Sequence, residues 1–332
     1  MKWKKRLGAL WLAGLLCACG SQPPRPVPPP DLPSSSSSQS EPDAREPGFP
    51  VTVGGATLEK KPERVVSLNP SITEILCDLG LGPALAGVGD WDNPPALPEG
   101  ASRCGTEIAP DIPAIRQAGA EAVLVLGPLP ERARLQLEEA DIPLIRLEKP
   151  ETVEALPGYY EEIAKALLGE EEGPAAAAAF SEPLMAQWSA LVQAASELPS
   201  HPLGAFMAYL PLTLATADSL QGRLLEQCGI TNAGADYAGW QYPEELLLPF
   251  NPEVLVVDIR TVTPEEAAAH PNYKTTPCVL NGRVLGVDGS ALENGGARLF
   301  ETAGQIARLA GAELPPGGAE TAGEGTENAP EA

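Results

Sequence analysis

Cysteine chemistry opens the chain. A basic head (Lys2, Lys4, Lys5, Arg6) precedes an apolar run from Leu7 to Leu16, and Cys17-Ala18-Cys19-Gly20 follows. The run is too short for a stable spanning helix and has the form of a secretory signal. Its last residues, Leu16-Cys17-Ala18-Cys19, have the leucine, small-residue, cysteine order of a bacterial lipobox. That order predicts cleavage before Cys19 and diacylation of its thiol, against the plainer alternative of an ordinary cleaved signal and an unmodified cysteine. Cys77, Cys104, Cys228 and Cys278 remain, an even number in a compartment that permits disulfides. If they pair, Cys77 with Cys104 and Cys228 with Cys278 is the expectation. Four buried free thiols are the alternative. No pair has C-x-x-C spacing, so no metal site is expected.

Little else in the chain suits covalent chemistry. Ser71 and Ser290 are conceivable nucleophiles, but there is no G-x-S-x-G, H-E-x-x-H, P-loop or G-x-G-x-x-G. The only two histidines, His201 and His270, each stand beside a proline, which is poor material for a triad. The expectation is that the protein is not an enzyme. The net charge is −23, and loss of the four basic signal residues takes it to −27. Clustered cations able to neutralise phosphates are missing, so nucleic acid is excluded as a partner. Contact with the membrane is expected through the lipid alone.

The residues better suited to binding are aromatic and cationic. Trp91 lies in the loop Gly89-Asp-Trp-Asp-Asn-Pro-Pro95 and Trp240 in a second loop far along the chain. Two indoles facing one cleft suit a large, flat, partly apolar ligand, with partial core burial as the alternative for each. Arg260 and Arg298 are the candidate cations, Arg298 equally an ion-pair partner. Ser71 and Tyr209 complete the ligand-binding candidates.

The elements that must position these residues are legible. Phe49 to Leu58 reads as a hairpin through Gly54-Gly55. Strands over 64–68, 84–88, 122–126 and 144–147 alternate with helices over 72–79, 112–118 and 132–139. Such alternation means a parallel sheet with helices on both faces. Residues 153–168 and 175–198 are helical, the latter with five consecutive alanines and with Pro183 as an expected kink. Strands over 203–209, 254–258 and 284–287 and helices over 220–228, 244–247 and 297–310 resume the alternation. Residues 20–47, rich in proline and serine, offer too little apolar surface to fold. They form a tether of roughly 30 Å as a coil and roughly 85 Å as extended polyproline. The expected organisation is a signal over 1–18, lipidated cysteine and linker over 19–48, an N-terminal α/β lobe over 49–150 and a helical bridge over 151–200. A C-terminal α/β lobe over 201–312 and a disordered acidic tail over 313–332 complete it.

Arg64-Val-Val-Ser-Leu-Asn-Pro-Ser-Ile-Thr-Glu74, Gly87 to Pro95, Leu224 to Asn232, Trp240 to Glu245, Asn251 to Val257 and Gly282 to Gly286 form an ordered set. Over about residues 62–311 the set resembles the binding proteins for vitamin B12, ferric siderophores and haem, the extracytoplasmic components of ABC importers. The resemblance implies two Rossmann-like lobes bridged by a long helix, with ligand in the cleft between them. It implies a monomer working with a permease and its ATPase, located outside the cytoplasm, and a small molecule that is cargo, not a cofactor. In the family a glutamate on each lobe docks onto permease arginines. Glu245 takes that role here, while the first-lobe position holds Pro113, leaving Asp111 or Glu107 as the substitute. The aromatic loop resembles that of corrinoid binders, so a corrinoid is the first expectation and a ferric siderophore the second. Haem comes third, because it needs an axial Tyr or His. A ligand-sensing lipoprotein and a secreted hydrolase are the readings outside the importer class.

Overall fold

The structure, a computed structural model, describes residues 46–241 and 251–314. The signal, Cys19, most of the tether, Glu245 with the helix expected over 244–247, and the tail from 315 lie outside the described residues.

The folded body opens with a hairpin, β1 (Val51–Val53) and β2 (Ala56–Leu58), paired antiparallel. The first lobe then alternates β3 (Val65–Ser67), α1 (Pro70–Asp78), β4 (Leu85–Val88), β5 (Ser102–Arg103), α2 (Ile112–Gln117), β6 (Ala122–Val125), α3 (Glu131–Glu138) and β7 (Leu144–Arg146). Its sheet is wholly parallel in the order β5-β4-β3-β6-β7. Counted within the lobe this is 3-2-1-4-5, the doubly wound order. The helix expected over 72–79 forms because Asn69 caps it, accepting from the Ser71 amide, and Pro70 occupies its first turn. Ile72, Ile75 and Leu76 then fall on one buried face. β5, two exposed residues long, carries no alternation that a sequence reading could have used.

Helix α4 (Leu156–Ser196) leads to the second lobe. It breaks at Gly169, whose φ is +80°, whereas Pro183, where a kink was expected, keeps helical backbone angles. The reason is local. A Cβ on Gly169 would lie 2.6 Å from the Gly48 carbonyl, and that carbonyl accepts the Glu170 amide freed by the break. The two segments pack on each other through Tyr160 and Phe180, 5.1 Å apart in edge contact.

The second lobe contains β8 (Leu203–Tyr209), β9 (Thr213–Leu214), α5 (Leu220–Gln227), β10 (Thr231–Asn232), β11 (Val254–Asp258), α6 (Pro264–Ala269), α7 (Pro277–Leu280), β12 (Val284–Val287), α8 (Gly289–Asn294) and α9 (Ala297–Ala310). The parallel order is β10-β8-β11-β12, with β9 antiparallel on β8. One face of each sheet joins a shared core through α4 and α9, exemplified by Val65, Ile72, Trp188, Phe206 and Phe300. The other faces have their own cores, around Val66 and Val123 in the first lobe and around Met207 and Val257 in the second.

This layering corrects the expected disulfides. All four described cysteines are free thiols. Cys77 borders the shared core while Cys104 lies in the outer core of the same lobe. Cys228 and Cys278 are divided in the same way. A sheet stands between the members of each expected pair, beyond the reach of an S–S bond. Burial pushes the Cys104 thiol up to about 11 and Cys228 to about 12.

Candidate functional site

Ligands of open α/β sheets bind at the carboxyl ends of the strands where the strand order reverses. In the second lobe that place lies between β8 and β11, and a cavity of about 450 Å³ opens there. Phe206, Tyr209 and Trp240 supply aromatic surface, and Gln221, Thr213 and Thr261 supply neutral polar groups. Tyr209 is 57% exposed at the end of β8. Trp240 is held in an uncommon left-handed conformation, φ +58°. Its amide donates to Thr216 Oγ1 at 3.0 Å, and the Gly239 amide donates to Asp218 Oδ2 at 2.9 Å. Thr216 in turn donates to Asp218 at 2.7 Å. These bonds, the Thr216 hydroxyl first, hold the Asp218 carboxyl below its ordinary value. The indole is thus presented by a fixed turn and packs partly against the shared core.

Arg260 lines the same cavity but is not a free cation. It donates to Asp258 at 2.6 and 2.9 Å and to Glu293 at 3.0 Å, with Asp288 at 3.7 Å. Asp258 and Glu293 also line the cavity, so among the described residues its charges sum to one more negative than positive.

In the first lobe the corresponding reversal lies between β3 and β6. Trp91 stands 80% exposed in the loop after β4, and Ile108, on the next loop, is 87% exposed. Those loops are joined, since the Asp90 amide donates to the Gly105 carbonyl at 2.8 Å. Trp91 is not among the residues lining the second-lobe cavity. Beneath it Asp92 is 1% exposed. Its Oδ2 accepts from Thr73 and from the Gly89 amide, and its Oδ1 is buried without a partner. Burial pushes this carboxyl up to about 6. Asp111 caps α2, accepting the Ala114 amide at 3.0 Å, and remains exposed. Glu107 folds back onto the Leu126 and Gly127 amides at 2.6 and 3.2 Å.

Two sequence candidates serve the seam between the lobes instead of a ligand. Arg298, on α9, donates to Glu74 on α1 at 2.5 and 3.1 Å and to Asp288 at 2.9 Å. Of the two roles the sequence left open, it takes that of ion-pair partner. Ser71 is 3% exposed and donates to the Asn294 carbonyl, which removes it as a ligand contact and as a nucleophile. His201 Nδ1 contacts the Gly229 carbonyl at 3.1 Å and His270 Nδ1 accepts from the Asn272 amide at 3.3 Å, and among the described residues neither ring bonds a serine hydroxyl. Asn294 donates to Glu74 at 2.8 Å, Ala297 to Asp78 at 2.8 Å, and Tyr160 to the Gly295 carbonyl at 2.6 Å. Burial pushes Asp78 up to about 6.

Phe206, Gln221 and Glu293 in the cavity, and the Thr216–Asp218 clamp, went unread in the sequence. Each lies on a different element, and no spacing signal links them.

No family model matches the chain. An uncharacterized ABC transporter substrate-binding lipoprotein of Bacillus subtilis is 25% identical over 328 residues, covering 92% of this chain and 96% of that protein. Among solved structures, the periplasmic heme-binding protein HutB of Vibrio cholerae matches with a TM-score of 0.63 at 20% identity. The match covers 74% of this chain and 98% of that one. The fold is that of the bilobal periplasmic binding proteins. The vitamin B12-binding protein BtuF of Vibrio cholerae has the same architecture, with a TM-score of 0.57 and 20% identity over 75% of this chain and 96% of its own. The chain therefore resembles the helix-bridged binding-protein class to which its ordered motifs pointed.

Proposed function

We propose that this protein is the extracytoplasmic, lipid-anchored substrate-binding component of an ABC importer, that it is not an enzyme, and that its ligand is a corrinoid. The single observation that carries the ligand class is the second-lobe cavity. Two aromatic residues, Trp240 and Tyr209, stand at the carboxyl ends of parallel strands beside neutral polar groups. Arg260, the one arginine among its described lining residues, is already paired by Asp258 and Glu293. An anionic chelate entering here would find no uncompensated cation among the cavity's described residues. A corrinoid, largely apolar at its faces and rimmed by amides, needs none. The anchor at Cys19 and the roles of Glu245 and Asp111 in docking to the permease belong to the same proposal. So does monomeric action beside a permease and its ATPase.

One observation favours haem as a second reading. The Tyr209 hydroxyl makes no hydrogen bond among the described residues, and an exposed phenol is a competent axial ligand for iron. Titration of the purified protein with cyanocobalamin, a ferric hydroxamate and haemin, followed by tryptophan fluorescence, separates the readings. Tight binding of cyanocobalamin, weakened in Trp240→Ala, is expected. A haemin complex whose Soret band shifts in Tyr209→Phe would replace the corrinoid by haem. Failure of all three to bind would remove the importer reading for this ligand group. Glu245→Arg should leave binding intact and abolish uptake, since like charges across an interface cost several kcal/mol.

A further inference from the structure

In the first lobe a carboxylate of the protein itself occupies two backbone amides at the carboxyl end of β6. Both oxygens of Glu107 are engaged, Oε1 by the Leu126 amide at 2.6 Å and Oε2 by the Gly127 amide at 3.2 Å. The two amides follow directly on β6, at the reversal of strand order, where a ligand would approach. Successive backbone amides turned to one side form a concavity suited to a carboxylate or phosphate. Glu107 reaches it from the loop after β5, a tight turn closed by the Thr106 and Ala109 amide bonds. The fit is close, since a Cβ on Gly127 would lie 3.1 Å from Oε2. The negative charge placed there also acts on two buried groups, the Asp92 carboxyl and the Tyr159 phenol.

We infer that Glu107 is a specificity-determining residue that occupies this amide pair in place of a ligand anion and so turns the first lobe against anionic ligands. The effect matches the second lobe, where Asp258 and Glu293 outweigh Arg260. The cargo class admitted is then neutral or cationic, and carboxylate-bearing chelates are refused on both lobes. As a statement about cargo this rests on the importer reading, whereas the occupied amide pair does not.

Two measurements test the parts separately. In the full chain labelled with nitrogen-15, inorganic phosphate is titrated against wild type, Glu107→Ala and Glu107→Gln while the Leu126 and Gly127 amide signals are followed. Glu107→Ala should show saturable shifts at both amides. Wild type, whose carboxylate fills the pair, should show none, and Glu107→Gln, whose single acceptor oxygen leaves one amide unsatisfied, should respond less than Glu107→Ala. No response in a folded Glu107→Ala protein, or an equal response in wild type, overturns the inference. Should the alanine variant fail to fold, Glu107→Ser, too short to reach the amides, serves in its place. In the second measurement, Glu107→Ala should raise affinity for ferric citrate relative to cyanocobalamin at least tenfold, and an unchanged ratio overturns the selective role. If wild type and variant bind neither probe while the amides respond to phosphate, the importer reading fails and the anion site stands.

Discussion

Arg298→Ala would leave Glu74, 1% exposed, without its main counter-charge. Removing one partner of a buried pair is costly because the other stays desolvated, and with Arg298 partly exposed we expect a loss of about 2–4 kcal/mol. Chemical denaturation should show this as a lower midpoint, and an unchanged midpoint would contradict the seam role. The two tryptophans should behave differently. Trp91, 80% exposed, can lose its indole with no change in the apo melting temperature. Trp240→Ala should weaken ligand binding at least tenfold, since an aromatic contact buries 150–250 Å² at about 25 cal/mol per Å². A large apo destabilisation with unchanged affinity would instead make Trp240 a core residue. Asp218→Ala should reproduce part of the affinity loss by releasing the turn that holds the indole.

At the scale of elements, the break in α4 is set by backbone and not by proline. Gly169→Ala must adopt φ near +80° and meet the Gly48 carbonyl. Strain in the left-handed region costs about 1 kcal/mol or more for a non-glycine residue, and the close approach adds to it. Thermal melting should show a clear drop for Gly169→Ala and little change for Pro183→Ala, whose backbone is already helical. The reverse order would place the break at the proline. Because Glu170 is capped by Gly48, residues just ahead of β1 support the bridge between the lobes. Truncation past residue 50 should therefore destabilise the helix pair although it removes no part of either sheet.

Across the whole molecule, the seam and first-lobe carboxyls set a pH response. Asp78 and Asp92 are both pushed up to about 6 from an ordinary value near 3.8, chiefly by burial. A folded-state value above the unfolded one means the native state binds protons first. Stability from these two groups therefore rises as pH falls from about 6 towards 4. One unit corresponds to about 1.4 kcal/mol, so each contributes on the order of 1–3 kcal/mol. Melting curves should show Asp92→Asn gaining less than wild type on acidification from pH 7 to pH 5, and equal gains would discard Asp92 as a source. Thiol titration of the denatured protein should find Cys77, Cys104, Cys228 and Cys278 all reactive without reductant. Any bridge among them would require the sheets to be arranged differently.

The sequence by itself determined the local elements and their class. Strands such as 254–258 and helices such as 297–310 follow from runs and spacings a few residues long, and alternation of the two types forces parallel sheets. It also determined which loops carry Trp91 and Trp240, because the loops are bounded by readable strands and turns. What tertiary structure alone decided involves residues far apart in the chain. Arg298 faces Glu74 across 224 positions, so its role as ion pair or ligand contact depended on packing. Four cysteines are plain in the sequence, yet only the layering of each sheet separates Cys77 from Cys104 and Cys228 from Cys278. Glu107, one of the two acids the first-lobe sequence offers for docking, contacts amides 19 and 20 residues away, which no local pattern shows. The short edge strand β5 and the clamp under Trp240 left no periodic trace, since two residues are too few to carry one. Local physical chemistry therefore wrote the elements, while charge balance and binding surface emerged only where distant segments met.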